Sequence, residues 1–237
     1  MKQNQKIGLD LGLDPPKCYN NIMHFDLLIF DLDGTLLDSK QTIVDSINFM
    51  LQQLGRKEKP AALICSYIGI GDRNLIMQAV DGDKQVLEQG LSIFRRDYPE
   101  RIIKDGRLFD GTREVLEHFK NKKKAIVSNG GRNMIEISLK KHGIDAYFDM
   151  LVGGEDESCA KPNPCQIEKV LKALRVEASK AIMIGDLVLD IQAGKNAGIK
   201  TCGTTYGIGR KEDLISAKPD FMIDDVSELM SLGALGL

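Results

Sequence analysis

Short runs of consecutive apolar residues recur along the chain, separated by stretches in which apolar residues are spaced three or four positions apart. Continuous apolar runs are typical of parallel strands, which are buried on both faces of a sheet. We predict strands at FDLLIF (25–30), KAIVS (124–128), DMLVG (149–153) and AIMIG (181–185), with weaker candidates at IKTCGT (199–204) and FMI (221–223).

The spacing between these runs predicts helices. Amphipathic stretches cover 132–142, 164–174 and 189–197, and the first and last of them are followed by Gly143 and Gly198. Glycine commonly ends a helix because it adopts the left-handed conformation without strain. The alternation of strands and helices predicts an α/β fold with a Rossmann-like, mostly parallel sheet and helices on both faces.

One long section interrupts this alternation. Residues 38–107 show helical patterns and no convincing strand. The first helix is predicted from the shared face of Ile43, Ile47, Leu51 and Leu54; it stops at Gly55, and two further helical stretches follow. This is too much chain for a simple crossover, so we predict an inserted all-helical cap domain.

These boundaries define the predicted domain organisation. The cap domain covers 38–107, and the Rossmann-like core combines 23–37 with 108–237. The first 22 residues precede the first strong strand and are predicted to be a dispensable N-terminal extension, with a short structured arm as the alternative.

Composition places the chain among globular proteins and gives no sign of a polyanionic partner. Hydrophobic residues make up 43% of the 237 residues, charged residues make up 28%, and the formal net charge is -2. Without a basic excess, we expect no nucleic-acid or membrane partner. The sequence contains no window of about 18 apolar residues, which is the length that a membrane-spanning helix needs. A homodimer is compatible with the sequence.

Five scattered cysteines bear on the redox environment. Their number is odd and none forms a Cys-x-x-Cys pair, which is typical of reduced thiols rather than of a disulfide framework or a zinc site. The N-terminus also lacks the continuous apolar stretch of a secretory signal. We therefore predict free thiols and a cytoplasmic location.

Polar side chains follow the predicted strands where each of them ends. Ligands bind beyond the carboxyl ends of the strands in open α/β sheets, so these groups are expected to share one site. They are Asp31, Asp33, Gly34 and Thr35 after the first strand, Ser128, Asn129 and Gly130 after the second, Lys161 after the third, and Asp186 and Asp190 after the fourth.

The chemistry of this set points to phosphate transfer. Carboxylate oxygens suit magnesium, a hydroxyl with glycine-flanked amides suits an anion, and a lysine supplies a point charge. Crowded carboxylates such as Asp31 and Asp33 raise each other's proton affinity, and a cation offsets that cost. One aspartate is then available to attack phosphorus while the other handles the proton of the leaving group.

The same residues form four motifs that resemble the haloacid dehalogenase superfamily of phosphatases. They are DLDGT (31–35), VSNG (127–130), Lys161-Pro162 and GDLVLDIQAGKNAG (185–198), in that order. A cap between the first two motifs resembles the subclass that contains phosphoglycolate phosphatases, pyrophosphatases and β-phosphoglucomutases.

The resemblance implies a role for each matching residue. Asp31 would be the nucleophile and a Mg²⁺ ligand, and Asp33 the general acid and base with its backbone carbonyl on the metal. Lys161 would neutralise charge on the phosphate and the nucleophile. Phosphate contacts would come from Ser128, the amides of Asn129 and Gly130, and the adjacent Gly34 and Thr35; Asp186 and Asp190 would complete the metal site. Leu187 stands where the pattern usually has Ser or Thr, so the hydrogen-bonding support of Asp186 by this residue is not expected here.

The stretch YIGIGDRNL (67–75) lies inside the predicted cap and allows two interpretations. It resembles the cap loop of phosphoglycolate-phosphatase-like enzymes, in which case Arg73 could contact a substrate carboxylate or phosphate. It could equally be a glycine turn before a helix that starts near Asp72.

Three functions follow from these residues. The leading hypothesis is a Mg²⁺-dependent phosphatase that hydrolyses a small phosphorylated metabolite, such as phosphoglycolate, through an aspartyl-phosphate. The second is a pyrophosphatase or a β-phosphoglucomutase-like phosphotransferase with the same intermediate. The third, a receiver-like signalling module without turnover, is disfavoured by the cap and by the acid at Asp33.

Overall fold

The computed structural model describes residues 25–233. The predicted extension over 1–22 lies outside the described residues, as does Cys18. The strands are β1 (Leu27–Phe30), β2 (Leu37–Asp38), β3 (Arg107–Leu108), β4 (Lys123–Val127), β5 (Met150–Val152), β6 (Ala181–Gly185), β7 (Lys200–Thr204) and β8 (Phe221–Ile223).

Six strands form one parallel sheet in the order β5-β4-β1-β6-β7-β8. All six were predicted from their apolar runs, and the predicted α/β fold class is confirmed. β1 lies inside the sheet, where Phe30 pairs with Ile126 of β4 and with Ile184 of β6. The carboxyl ends of these three strands are therefore adjacent.

The helices are α1 (Lys40–Gln53), α2 (Ala61–Cys65), α3 (Asp72–Ala79), α4 (Leu87–Asp105), α5 (Thr112–His118), α6 (Arg132–His142), α7 (Cys165–Leu174), α8 (Val188–Asn196), α9 (Lys211–Ala217) and α10 (Glu228–Gly233). Alternate residues of β1 enter separate apolar layers on the two faces of the sheet. Leu28 and Phe30 pack in one layer, and Leu27 and Ile29 pack in the other. The continuous apolar run follows from this two-sided burial.

Helices α1 to α4, which we call the helical segment, lie between β2 and β3. The face predicted for α1 is largely buried, since Ile43, Ile47 and Leu51 are each at most 4% exposed. Three helices follow α1 instead of the predicted two, because the five-residue α2 is too short to show a period. The boundaries of a separate cap domain stay a prediction.

A two-stranded antiparallel ribbon closes the base of the helical segment, where no strand was predicted. Leu37 pairs with Leu108 and Asp38 with Arg107. Each strand has two residues, which is too few for a hydrophobic alternation to be visible in the sequence. Within residues 25–233, no helix is both long and apolar enough to cross a membrane.

The prediction that all cysteines are free thiols is wrong for one pair. Cys159 and Cys165 form a disulfide with their Cα atoms 5.2 Å apart, whereas Cys65 and Cys202 are free. The pair was missed because its spacing matches neither a Cys-x-x-Cys motif nor a disulfide-rich framework.

Candidate active site

Three carboxylates converge at the carboxyl edge of the sheet. Asp31 follows β1 and Asp186 follows the adjacent β6, while Asp190 lies in the first turn of α8. One oxygen from each lies within 4.8 Å of the others, and the three residues are at most 5% exposed. The structure thus brings together the three predicted metal-ligating side chains.

Lys161 lies inside this acidic cluster. Its Nζ donates to Asp31 Oδ1 at 2.8 Å and to Asp190 Oδ1 at 2.5 Å, and also to the carbonyl of Val127 at 2.9 Å. The lysine is 5% exposed, so these bonds are formed away from bulk water, where ion pairing is strong. One ammonium offsets part of the charge of three carboxylates.

The electrostatics of the cluster show a shortage of positive charge. Burial and the charges of Asp31 and Asp190 raise the pKa of Asp186 to about 8. Burial also raises the pKa of Asp190 to about 6, against the opposing effect of Lys161. For Lys161 burial acts to lower the pKa, but Asp190 and Asp31 outweigh it and the pKa is raised. The protein alone does not hold all three acids ionised near neutral pH.

A hard divalent cation fits this arrangement. The donors are carboxylate oxygens, which magnesium prefers, and a cation among them would compensate the charge that burial leaves unbalanced. The side chain of Asp33 is not part of the cluster. Among the residues that the structure describes, Asp31, Asp186 and Asp190 are therefore the group whose side chains could hold a metal ion.

Asp31, Lys161 and Asp190 line a cavity between the sheet edge and the helical segment, and Asp33 lines it from its own turn after β1. Burial, with the nearby charge of Asp31, raises the pKa of Asp33 to about 6. Its Oδ1 accepts a hydrogen bond of 2.9 Å from the hydroxyl of Tyr98, which is on α4. Tyr98 was not predicted, because an aromatic residue on an amphipathic helix reads as ordinary core.

The predicted anion-binding loop, which consists of Ser128, Asn129 and Gly130, follows β4 and also lines the cavity. The amide of Gly130 donates to Ser128 Oγ at 3.1 Å. The Asn129 side chain donates to the carbonyls of Gly69 at 2.8 Å and Lys161 at 3.0 Å. Asn129 thus connects the end of β4 with the helical segment and with the loop that carries Lys161.

Gly34 and Thr35 face Asp186, and neither lines the cavity in which they were predicted to bind phosphate. The Thr35 hydroxyl donates to Asp186 Oδ1 at 3.1 Å. Gly34 has φ of +85°, and a Cβ on it would collide with the Asp186 carboxylate. The Thr35 hydroxyl therefore supports Asp186, and the missing side chain of Gly34 leaves room for its carboxylate.

Support of Asp186 also comes from a turn that the sequence did not single out. The amides of Ile208 and Gly209, after β7, donate to Asp186 Oδ2 at 2.7 and 3.1 Å. Glycines on either side of Ile208 were the available signal for such a close approach. Leu187 cannot donate a side-chain hydrogen bond to Asp186 and instead packs against Gly69 of the helical segment. The support expected from a Ser or Thr at this position comes from the Thr35 hydroxyl and the two amides after β7.

The remaining cavity wall is largely apolar. The helical segment contributes Ile43, Ile68, Leu75, Phe94 and Tyr98. Lys161 is the cation that lines the cavity within the part of the chain that the structure describes. Arg73 is not brought there: it pairs with Glu88 at 2.7 Å and lines a neighbouring cleft. The helix expected near Asp72 does begin at that residue.

Comparisons with known proteins agree with this geometry. The family described as haloacid dehalogenase-like hydrolase matches residues 28–204. A phosphoglycolate phosphatase of Aquifex aeolicus is 35% identical over 208 residues, which cover 87% of this chain and 95% of the relative. Pyrophosphatase PpaX of Anoxybacillus flavithermus is 30% identical over 211 residues, covering 89% and 97%.

A solved structure shows the same architecture. The protein from Haemophilus somnus, described as a predicted phosphoglycolate phosphatase, superposes with a TM-score of 0.80 and 29% identity. The match covers 88% of this chain and 98% of that one. The resemblance inferred from the four motifs is thereby confirmed. The chain belongs to the haloacid dehalogenase-like hydrolase family, as a member of its phosphatase group.

Proposed function

We propose that the protein is a magnesium-dependent phosphomonoester hydrolase that forms an aspartyl-phosphate on Asp31. The observation that carries the proposal is the Asp31 carboxylate, bonded to Lys161 Nζ at 2.8 Å, in a cavity that also contains Asp33. A nucleophile, a charge partner and a second acid are thus present at one place.

The first step transfers the phosphoryl group. An Asp31 oxygen attacks phosphorus, the ester P–O bond breaks, and Asp33 gives its proton to the departing alcohol oxygen. The Ser128 hydroxyl and the amide of Asn129 hold the phosphoryl oxygens, while the amide of Gly130, which donates to Ser128 Oγ, keeps that hydroxyl in place. Lys161, held between Asp31 and Asp190, offsets negative charge as the new bond forms.

The second step releases phosphate. Asp33, now ionised, takes a proton from water while that water attacks phosphorus, and the bond between phosphorus and the Asp31 oxygen breaks. The pKa of Asp33, which burial raises to about 6, lies near the pH at which one carboxyl can serve as acid and then as base.

Magnesium would be held by Asp31, Asp186 and Asp190, with the backbone carbonyl of Asp33 as a further candidate. When bound, the ion neutralises charge on the phosphate and the nucleophile and orients the two. The supports of Asp186, namely Thr35 and the amides after β7, keep its carboxylate aimed at the cluster.

Phosphoglycolate, or another small phosphorylated metabolite, is the proposed substrate class, because relatives with this activity in their names align along most of the chain. Cleavage of pyrophosphate is the second candidate, favoured by the relative named as a pyrophosphatase. A mutase and a receiver module have no such relative among those described above. A homodimer and a cytoplasmic location stay predictions; the disulfide weakens the thiol argument for the latter.

The test is a panel of phosphate esters that includes phosphoglycolate, pyrophosphate and glucose phosphates, assayed for released phosphate with and without EDTA. We expect turnover that chelation abolishes, and rapid quenching should trap an acyl phosphate on Asp31. Asp31→Asn should lower kcat by at least about 1,000-fold, as expected for loss of a nucleophile. Undiminished turnover after chelation, or full activity of D31N, would refute the proposal.

A further inference from the structure

Tyr98 belongs to the helical segment, but its hydroxyl contacts an acid of the core. The hydroxyl donates to Asp33 Oδ1 at 2.9 Å, and the residue is 5% exposed. A buried phenol needs a hydrogen-bond partner to offset its desolvation. In the structure that partner is the carboxylate to which the proposed function assigns proton transfer.

The ring of Tyr98 is itself held in place. It stacks on Phe94, one helical turn earlier on α4, with ring centroids 5.1 Å apart and planes inclined by 13°. Both rings line the cavity, and α4 packs against α1 and α6. The hydroxyl therefore reaches Asp33 from a fixed direction, which is what positioning of a reactive group requires.

The bond occupies one of the two oxygens of Asp33. Oδ1 is occupied by Tyr98, whereas Oδ2 faces the anion-binding loop, 4.0 Å from the position that a Cβ on Gly130 would take. The rotation of a carboxyl group is broad when nothing restrains it. A restrained Oδ1 keeps Oδ2 directed at the place where a phosphate ester would lie.

We propose that Tyr98 is a positioning residue, whose hydroxyl orients the Asp33 carboxyl for proton transfer to the leaving group. This inference rests on the proposed function and adds a residue from the helical segment to it. The hydrogen bond joins the helical segment to the core, so a residue of α4 sets the orientation of an acid that follows β1.

The test compares two esters in Tyr98→Phe. This variant keeps the ring on Phe94 and removes the hydroxyl. An alkyl phosphate has a poor leaving group that needs a proton, whereas p-nitrophenyl phosphate has a good one that does not. We expect kcat/KM to fall by roughly 10-fold to 100-fold for the alkyl ester and to change less than about threefold for the aryl ester.

Tyr147→Phe is the matched control, because it also removes a phenol that donates to a carboxylate, that of Glu117, outside the cavity. It should leave both rates unchanged. Equal losses of Y98F for both esters, no loss for either, or a Y98F protein that fails to fold would each overturn the positioning role. Wild-type protein that releases phosphate from no member of the panel described above would instead refute the proposed function, so the two failures are distinguishable.

Discussion

Magnesium should stabilise the protein in a strongly pH-dependent manner. In the metal-free protein the pKa of Asp186 is about 8 against an ordinary 3.8. The folded state therefore retains a proton that the unfolded state has released between these two pH values. Its free energy of unfolding falls as pH rises through this window, by a total on the order of 5 kcal/mol.

A bound cation removes much of this penalty because it favours the ionised carboxylates. At pH 8 and a Mg²⁺ concentration about 100 times its Kd, binding adds about 2.7 kcal/mol. For a chain of this size that raises Tm by roughly 5–10 °C. pH 5 lies about three units below the pKa of Asp186, so a proton competes with Mg²⁺ for this carboxylate. The competition weakens Mg²⁺ binding by about 1,000-fold and reduces the Tm shift to below about 1 °C.

The assay is thermal unfolding at pH 5 and pH 8, with Mg²⁺ or with NaCl at matched ionic strength. Asp186→Asn should lose the Mg²⁺ shift at pH 8, while Asp45→Asn, a change at an exposed acid of α1, should keep it. The same Tm shift at both pH values, or a full shift in D186N, would contradict the assignment of the buried carboxylates to a metal site.

Two further substitutions probe how the site is assembled. Gly69→Ala should lower kcat/KM by about tenfold or more, since φ at Gly69 is +96° and a Cβ there collides with Leu187. Gly55→Ala is its control, because φ is +68° but no atom lies within 4 Å; it should cost about 1 kcal/mol of stability and no activity. Thr35→Val removes the hydroxyl bonded to Asp186 and should weaken Mg²⁺ binding by about 10-fold to 100-fold in calorimetric titration, with kcat at saturating Mg²⁺ nearly retained. An unchanged affinity in T35V would show that the amides after β7 suffice.

The sequence was most informative where burial and chemistry leave a local pattern. Buried parallel strands such as AIMIG (181–185) are continuously apolar, and the topology then brings the residues after neighbouring strands together. The placement of Asp31, Asp186, Asp190 and Lys161 in one cluster could be expected on this basis.

Contacts between distant segments could not be predicted in the same way. Tyr98 meets Asp33 across 65 positions of the chain, and the Thr35 hydroxyl turns to Asp186 rather than to the cavity. Arg73 of α3 pairs with Glu88 and does not line the cavity, although its neighbour Asp72 does. Such orientations depend on how helices pack, which hydrophobic spacing leaves undetermined.

The short ribbon of β2 and β3 has a consequence for how such proteins diversify. Asp38 and Arg107 are paired neighbours, so the chain leaves the core and returns to it at almost the same point. A different inserted segment could be connected at this ribbon without displacing the sheet on either side, because adjacent chain ends impose little closure constraint on the segment that joins them. The base of the helical segment is thus a point at which one inserted segment could replace another while the residues that follow β1, β4 and β6 stay in place.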